Sequence, residues 1–225
     1  MDKTIRIVVI ADTHLEHWTV KPPPGDVLIH AGDAVLDGTD GEWRDFNTWY
    51  EGQPHAHKVF IPGNHDRLFD EDPEKGRHLL PAATVLINEE TGISGLRIYG
   101  TPWTPAFNNW AFNTERGGEL AKKYSGITSG LDILVSHGPP EGILDMPDPR
   151  TNPFHLGSAE LKSVILKTRP RLVVFGHIHG GYGSAHLEGI PCINASICTE
   201  TYYPANKPVV VDLKPDGTVR ILPPA

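Results

Sequence analysis

The sequence predicts a single-domain α/β fold in which helices alternate with the strands of a largely parallel central sheet. Short runs of Val, Ile and Leu end abruptly at polar residues, which is typical of strands buried on both faces. Segments with a helical spacing of apolar residues lie between these runs, and such alternation indicates βαβ units. Because no flexible linker or composition break divides the 225 residues, we assign residues 1–225 to one domain.

The apolar runs define the predicted strands. The strongest predictions are for residues 5–11, 26–31, 58–62, 132–136 and 171–175. Weaker runs with turn residues between them predict further strands at residues 84–87, 96–100, 190–194, 208–213 and 218–222.

Three segments are predicted to be helical. Two of them begin near residues 40 and 73, and the third spans residues 158–168. In the first, Trp43, Phe46 and Tyr50 recur at helical spacing. In the second, the capping residue Asp72 precedes Pro73, which suits a first helical turn.

The charge balance argues against one class of partner. The chain has 20 Lys and Arg residues against 28 Asp and Glu residues, which gives a net charge of −8. An acidic protein repels a polyanion, so we expect no binding to long nucleic acid, whereas a small phosphoester held by metal ions is compatible with the charge.

No apolar run is long enough for a membrane span or a signal peptide, and Cys192 and Cys198 are interpreted as reduced thiols. We therefore expect a cytoplasmic protein that does not bind membranes.

Polar residues capable of binding metals follow five predicted strands. In open α/β sheets, ligands bind at the carboxyl ends of the strands. A lone Asp, Asn or His at such a position is more often a turn former or a packed residue, but coincidence does not readily explain five successive strand ends. Together these residues offer two or three carboxylate, imidazole or amide ligands to each of two cations. They are Asp12 and His14, Asp33, Asn64 and His65, His137, and His177 and His179.

The same residues carry a resemblance to a known family. The motifs Asp12-x-His14, Gly32-Asp33, Gly63-Asn64-His65-Asp66, His137 and Gly176-His177-x-His179 stand in the order of the calcineurin-like metallophosphoesterases. The resemblance implies a four-layer α/β/β/α sandwich with two stacked mixed sheets. It also implies hydrolysis of a phosphate ester by a hydroxide that bridges two cations.

A further resemblance covers most of the chain. Segments 98–105, 110–113, 136–140 and 193–196 are similar to the metallophosphoesterase-domain-containing proteins first known from vertebrate brain. This branch implies phosphodiesterase activity towards small substrates that include cyclic nucleotides. Some of its members lack a histidine at the position of His177, which this chain retains, and Asp66 stands where those relatives have Glu.

The resemblance also implies which residue binds which ion. Oxygen and nitrogen ligands suit two divalent transition-metal ions, namely manganese, iron or zinc. By motif, the first ion is assigned to Asp12, His14 and His179, the second to Asn64, His137 and His177, and Asp33 is assigned as the bridge between them.

His65 and Asp66 are predicted to be catalytic. Because Asn64 beside it takes the ligand role, His65 is interpreted as the acid that protonates the leaving alkoxide, with Asp66 orienting its ring. The alternative is that His65 only packs or hydrogen-bonds within its loop.

Three residues are predicted to contact substrate. Trp103 and Trp110 belong to an aromatic-rich segment, residues 102–113, that either stacks on a nucleobase or packs on itself. His155 precedes a predicted helix N-terminus, where an anion could bind.

The leading hypothesis is a phosphodiesterase that acts on 2′,3′- or 3′,5′-cyclic nucleotides. One alternative is a phosphomonoesterase or phosphotriesterase that uses the same metals. Monoesters carry an extra negative charge and favour additional Arg or Lys residues, which the motifs do not provide. The other alternative is a nucleotide-binding regulator with weak activity, which a complete ligand set argues against.

Overall fold

The computed structural model describes residues 3–148, 150 and 152–223. The single domain predicted for residues 1–225 includes residues 1, 2, 149, 151, 224 and 225, which lie outside this part. The strands of the described residues are β1 (Ile5–Ile10), β2 (Val27–His30), β3 (His57–Phe60), β4 (Thr84–Val85), β5 (Glu89–Ile93), β6 (Leu96–Thr101), β7 (Thr104–Pro105), β8 (Asn113–Thr114), β9 (Ile133–Ser136), β10 (Leu172–Phe175), β11 (Gly183–Leu187), β12 (Ile190–Asn194), β13 (Val209–Leu213) and β14 (Val219–Ile221). Their α-helices are α1 (Asp40–Glu51), α2 (Arg67–Glu71), α3 (Pro73–Leu79), α4 (Gly118–Lys123) and α5 (Ala159–Thr168).

Twelve of the described strands form two mixed six-stranded sheets, and β7 and β8 pair with each other in parallel. The first sheet has the order β14-β13-β1-β2-β3-β4, in which β1 to β4 are parallel, β13 is antiparallel to β1, and β14 is antiparallel to β13. The second has the order β11-β12-β10-β9-β6-β5, with parallel strands in the middle and an antiparallel strand at each edge. The two stacked sheets confirm the fold class that the resemblance implied. The single central sheet suggested by the pattern of runs is wrong, because runs identify strands but not which strands pair.

Each sheet is buried on both faces. Along β1, Ile5, Ile7 and Val9 belong to the apolar core between the sheets, whereas Val8 and Ile10 face the helical layer outside. Successive side chains of a strand point to opposite faces, so both halves of this alternation must be apolar. This is why residues 7–10 appear in the sequence as a continuous apolar run, which only the exposed Arg6 separates from Ile5.

Helices cover the outer face of each sheet and complete the four layers. On the first sheet, α1 buries Trp43, Phe46 and Tyr50, and the Tyr50 hydroxyl donates to the carbonyls of Leu28 and Val59 at 3.2 and 2.8 Å. On the second sheet, α4 and α5 contribute to a separate apolar core. None of the helices formed by the described residues has the length and apolar character that a membrane span requires.

All ten predicted strands and all three predicted helices form. The elements that the sequence did not predict are the edge strands β5 and β11, the two-residue strands β7 and β8, and the short helices α2 and α4. Most positions of these edge strands are exposed or half-buried, and few of their residues are apolar. They are held by backbone pairing to β6 and β12, and pairing of this kind leaves no apolar pattern in the sequence.

The two sheets are joined by backbone hydrogen bonds at one edge. The Ala11 amide donates to the Ala195 carbonyl at 2.9 Å, and the Ile197 amide donates to the Ala11 carbonyl at 2.8 Å. These bonds join the carboxyl ends of β1 and β12. The next residue, Asp12, therefore lies where both sheets end.

Candidate metal centre

Loops from both sheets bring the predicted ligands into one cluster. The loops after β1, β2 and β3 belong to the first sheet, and those after β9 and β10 belong to the second. Three groups have ligand atoms within 4.8 Å of one another: Asp12, His14 and His179; His14, Asp33 and His65; and Asp33, His137 and His177.

The first group is centred on Asp12, which is fully buried. Its Oδ2 accepts a hydrogen bond from the Ser196 hydroxyl at 2.6 Å, and its Oδ1 lies 3.6 Å from His179 Nε2. His14 Nε2 lies 3.2 Å from His179 Nε2. Two imidazole nitrogens and a carboxylate oxygen thus face a common point, which suits a cation.

The second group is centred on His137. Its Nε2 lies 2.9 Å from Asn64 Oδ1 and 3.4 Å from Asp33 Oδ2, and its ring centroid lies 5.0 Å from that of His177. The same Asp33 Oδ2 lies 3.8 Å from His14 Nε2 in the first group. One carboxylate oxygen therefore lies between the two groups.

Backbone carbonyls set the tautomers of two histidines. His137 Nδ1 lies 2.9 Å from the Ala31 carbonyl, and His179 Nδ1 lies 2.9 Å from the Thr199 carbonyl. A carbonyl can only accept, so each Nδ1 carries the proton, and in the neutral ring Nε2 keeps its lone pair towards the cluster. This arrangement orients histidine metal ligands in general. The donor set of carboxylates, imidazoles and one amide oxygen fits divalent transition-metal ions.

The histidines of the metal-free cluster differ in pKa. Burial lowers the pKa of His137, but the Asp33 carboxylate outweighs it and raises that pKa to about 9. For His179, the hydrogen bond and charge of Asp12 likewise outweigh burial and raise the pKa to about 9. Burial lowers the pKa of His14 to about 4. Without metal, His137 and His179 therefore hold protons at neutral pH that a bound metal must displace.

Four of the predicted ligands have left-handed backbone conformations. The φ angles are 52° for Asp12, 42° for His14, 57° for Asp33 and 68° for His177. Such conformations cost roughly 1–3 kcal/mol each in non-glycine residues and persist where the surroundings enforce them. Other residues of the described chain also have positive φ angles, but at the ends of β1, β2 and β10 they are the predicted ligands themselves.

Two glycines in the motifs make room for ligand carboxylates. A Cβ at Gly63 would lie 2.2 Å from Asp33 Oδ1, and a Cβ at Gly176 would lie 2.2 Å from Asp12 Oδ2. Such separations are far below van der Waals contact. These glycines are required by close packing at the site and do not merely relax turns.

We expect Gly63→Ala to damage both the site and the fold. The added methyl group meets Asp33 and the backbone around it, and overpacking of this kind costs about 1–3 kcal/mol. For a chain of this size, that corresponds to a fall of about 2–12 °C in Tm by calorimetry. We expect metal content to fall as well. Gly118→Ala is the matched control, because a Cβ there meets nothing within 4 Å. Equal Tm and metal content in both variants would contradict the packing argument.

The predicted role of Asp66 is wrong. Its carboxylate accepts hydrogen bonds from the backbone amides of Gly63 at 2.7 Å, Asp33 at 2.8 Å and Ala34 at 3.1 Å, and does not orient the His65 ring. Burial and the Asp33 charge raise the pKa of Asp66 to about 7. Asp66 thus ties the loop after β3 to the loop that carries the shared carboxylate.

His65 lies at the edge of the cluster. Its amide donates to Asp33 Oδ1 at 2.8 Å, and its ring packs edge-on against His14 with centroids 4.9 Å apart. The Trp110 ring lies against its other side, with centroids 4.2 Å apart. The imidazole and the Trp110 indole therefore both border the cluster, and their chemical roles stay predictions.

Trp103 and His155, the other two residues predicted to contact substrate, have different neighbours from Trp110. Trp103 packs against both outer cores, with Phe112 edge-on at 5.6 Å and the Lys123 ammonium 3.5 Å above its ring, which favours the packing interpretation. His155 Nδ1 pairs with the buried carboxylate of Asp145 at 2.7 Å. The first turn of α5 is capped by the side chain of Ser158. Anion binding by His155 stays a prediction.

The sequence did not identify the residues that hold Asp12 and the loops in place. The Ser196 hydroxyl donates to Asp12 and to Asn194 Oδ1. Ser196 and Asn194 belong to segment 193–196, which was noted only for its resemblance. His30 lies 2.9 Å from the Thr13 hydroxyl through Nε2 and accepts from the Gly32 amide through Nδ1. The signal for His30 is its position two residues before the Gly32-Asp33 motif, and the signal for Asn194 and Ser196 is their place in segment 193–196.

Tyr202 was also missed. Its ring lies edge-on to His14 with centroids 4.6 Å apart, and lies 5.9 Å from the ring of His179. It comes from the loop after β12, far from any ligand motif, and its side chain is partly exposed. Its aromatic ring borders the cluster only because the chain folds back over the site.

Two cavities open beside the cluster. One of about 430 Å³ includes His177 in its lining, and one of about 570 Å³ includes His179. Glu200 lines both. Volumes of this size are typical of small-molecule sites.

The fold and the cluster together define a class of protein. Two stacked mixed sheets with carboxylates and imidazoles at the strand ends form the architecture of the dinuclear metal-dependent phosphoester hydrolases. The model of the calcineurin-like phosphoesterase family matches residues 5–181, and the chain belongs to this family. It is therefore a metal-dependent phosphoester hydrolase.

Similar proteins support this assignment. The chain is 38% identical to human metallophosphoesterase domain-containing protein 1 over 92% of its own length and 71% of that protein, and the mouse protein gives the same values. Among solved structures, the Thermus thermophilus protein TT1561 has a TM-score of 0.63 with 13% identity, covering 97% of this chain and 98% of that one. A 5′-nucleotidase precursor from the same organism has a TM-score of 0.50 with 13% identity, covering 98% and 53%. These two likenesses show the shared fold.

Proposed function

We propose that this enzyme is a phosphodiesterase that hydrolyses small phosphodiesters, with cyclic nucleotides as the substrate class. The observation that carries the proposal is the position of Asp33 Oδ2, 3.4 Å from His137 Nε2 and 3.8 Å from His14 Nε2. A carboxylate so placed serves two adjacent ligand groups. We infer that the ions are manganese, iron or zinc, since the donors are nitrogen and oxygen.

Each ligand group has a defined task in the proposed mechanism. When bound, two divalent ions would lower the pKa of a water molecule and neutralise charge on the phosphoryl group. The first ion is assigned to Asp12, His14 and His179, the second to Asn64, His137 and His177, and Asp33 joins them. The carbonyl of Ala31 and that of Thr199 hold their histidines in the ligand tautomer.

Charge around the site supports a diester rather than a monoester. Glu200 lines both cavities, and its carboxylate disfavours a second negative charge on the substrate. Each cavity also contains an arginine that is already engaged: Arg150 pairs with Asp148 at 3.2 Å, and Arg116 donates to the carbonyls of Leu156 and Gly157. A diester carries a single negative charge and so suits this environment better.

A substrate panel tests the proposal. Manganese-loaded enzyme is offered bis-p-nitrophenyl phosphate, p-nitrophenyl phosphate, a p-nitrophenyl triester and 2′,3′- and 3′,5′-cyclic AMP. We expect kcat/KM for the diesters to exceed that for the monoester and the triester. A higher value for the monoester or triester would favour that alternative activity. Stoichiometric nucleotide binding without turnover would favour a regulator.

We expect His65→Ala to slow the hydrolysis of one kind of diester much more than that of another. The proposed acid protonates the leaving oxygen, and general acid catalysis contributes roughly 10²–10⁴-fold. A ribose alkoxide needs that proton, whereas nitrophenolate leaves without it. Hydrolysis of cyclic AMP should therefore fall by roughly 10²–10⁴-fold while much of the bis-p-nitrophenyl phosphate rate remains.

Metal analysis of the same variant completes this test. The His65 ring borders the cluster but its amide, which the substitution retains, makes the bond to Asp33. Two retained ions with an equal loss for both substrates would contradict the acid role. Loss of metal would instead show that His65 helps to build the site.

A further inference from the structure

The cavity beside His177 has a mixed lining. An aromatic side chain (Phe107), a guanidinium (Arg116), an aliphatic side chain (Leu156) and a carboxylate (Glu200) all contribute to it. Because His177 is part of the lining, the cavity of about 430 Å³ opens directly onto the second ligand group. A phosphoryl group held at the cluster would direct one of its substituents into this space.

Phe107 differs from the other aromatic residues of segment 102–113. It is 63% exposed and lines the cavity. Phe112 is buried, Trp103 packs against it, and Trp110 lies against the His65 ring. Of these side chains, the ring of Phe107 is the one that presents an open aromatic surface to this cavity.

The loop that carries Phe107 is held in place by its own hydrogen bonds. The Asn113 amide group donates to the Phe107 carbonyl at 2.7 Å, and the Thr104 hydroxyl donates to Asn113 Oδ1 at 2.7 Å. The Ala106 amide donates to the Thr114 carbonyl at 2.8 Å. The ring is therefore presented from an ordered loop, so binding need not first order the backbone that carries it.

Arg116 also lines the cavity. Its guanidinium donates to the backbone carbonyls of Leu156 at 3.0 Å and Gly157 at 2.9 Å, which ties this stretch of backbone to Arg116. Leu156 is 38% exposed. A guanidinium has five N–H donors, so it can also offer hydrogen bonds to a ligand in the cavity.

From this arrangement we propose that the cavity is the nucleobase subsite of the enzyme. The base stacks on Phe107, contacts Leu156, and presents its acceptor atoms to Arg116. This inference rests on the proposed phosphodiesterase function and adds to it a specificity residue, Phe107. A flat ring with polar edges suits a lining that offers an exposed aromatic face and a guanidinium better than an aliphatic chain does.

The test compares two cyclic diesters that differ only in the base. These are 2′,3′-cyclic AMP and 1-O-methyl-ribose 2′,3′-cyclic phosphate, with hydrolysis followed by phosphorus NMR in the manganese-loaded enzyme. Base stacking contributes roughly 1–3 kcal/mol, so Phe107→Ala should raise KM for cyclic AMP about 5- to 150-fold. It should leave KM for the base-free substrate within about twofold, and Phe107→Trp should restore the wild-type KM for cyclic AMP.

Phe154→Ala is the matched control, because Phe154 is 72% exposed and does not belong to the lining of this cavity. Equal effects of Phe107→Ala on both substrates, or none on cyclic AMP, would overturn the subsite. If the wild type hydrolyses neither diester, the proposed function fails instead. The subsite is then tested by calorimetry with adenosine 5′-monophosphate and methyl phosphate, where Phe107→Ala must weaken binding of the nucleotide alone to support it.

Discussion

Removal of bound metal with a chelator is expected to abolish hydrolysis of bis-p-nitrophenyl phosphate, and added manganese to restore it. The cluster contains carboxylates, imidazoles and an amide oxygen, but the residues alone provide no activated water at neutral pH. The loss should therefore reach the detection limit of the assay. Full activity in protein shown by elemental analysis to be metal-free would contradict the mechanism.

Metal rebinding should also depend on pH. His137 and His179, each with a pKa of about 9, are protonated in the metal-free protein at pH 7, and metal must displace these protons. Affinity should therefore rise as pH increases from 6 towards 9. Calorimetry in buffers of different ionisation enthalpy measures the protons released. Zero release at pH 7 would show that these rings are neutral without metal.

Asp33→Asn should cause the largest loss of any single ligand substitution. Its Oδ2 lies between the two ligand groups, so removing the charge of this carboxylate weakens the binding of both ions at once. Loss of one outer-shell partner of a metal ligand typically costs about 10- to 100-fold, so a shared ligand should cost roughly 1,000-fold or more in kcat/KM. His14→Ala, which removes a ligand from one group, should cost less.

The matched control for this substitution is Asp37→Asn, which changes an exposed aspartate that follows the same strand. It should retain wild-type activity and metal content. Elemental analysis and calorimetry of Asp33→Asn should show loss of at least one ion. Two tightly bound ions in that variant would contradict the bridging role of Asp33.

The sequence by itself determined most of the elements and the composition of the site. The run from Ile7 to Ile10 is apolar on both faces because this part of the strand is buried on both faces, so the strand could be predicted from local pattern. Asp12 and His14 follow it directly, and the ends of parallel strands meet at one edge. Ligand identity thus follows from local order along the chain, whereas the meeting of ligand loops from two separate sheets does not.

The tertiary structure alone decided which strands pair and what each side chain near the ligands does. Asp66 stands beside His65 in the sequence, yet its carboxylate bonds to backbone amides of the loop after β2. Trp103 and Phe107 belong to the same aromatic segment, but one packs inward and the other lines a cavity. Sheet pairing and side-chain orientation depend on contacts between residues distant in sequence, and local pattern carries no record of those contacts.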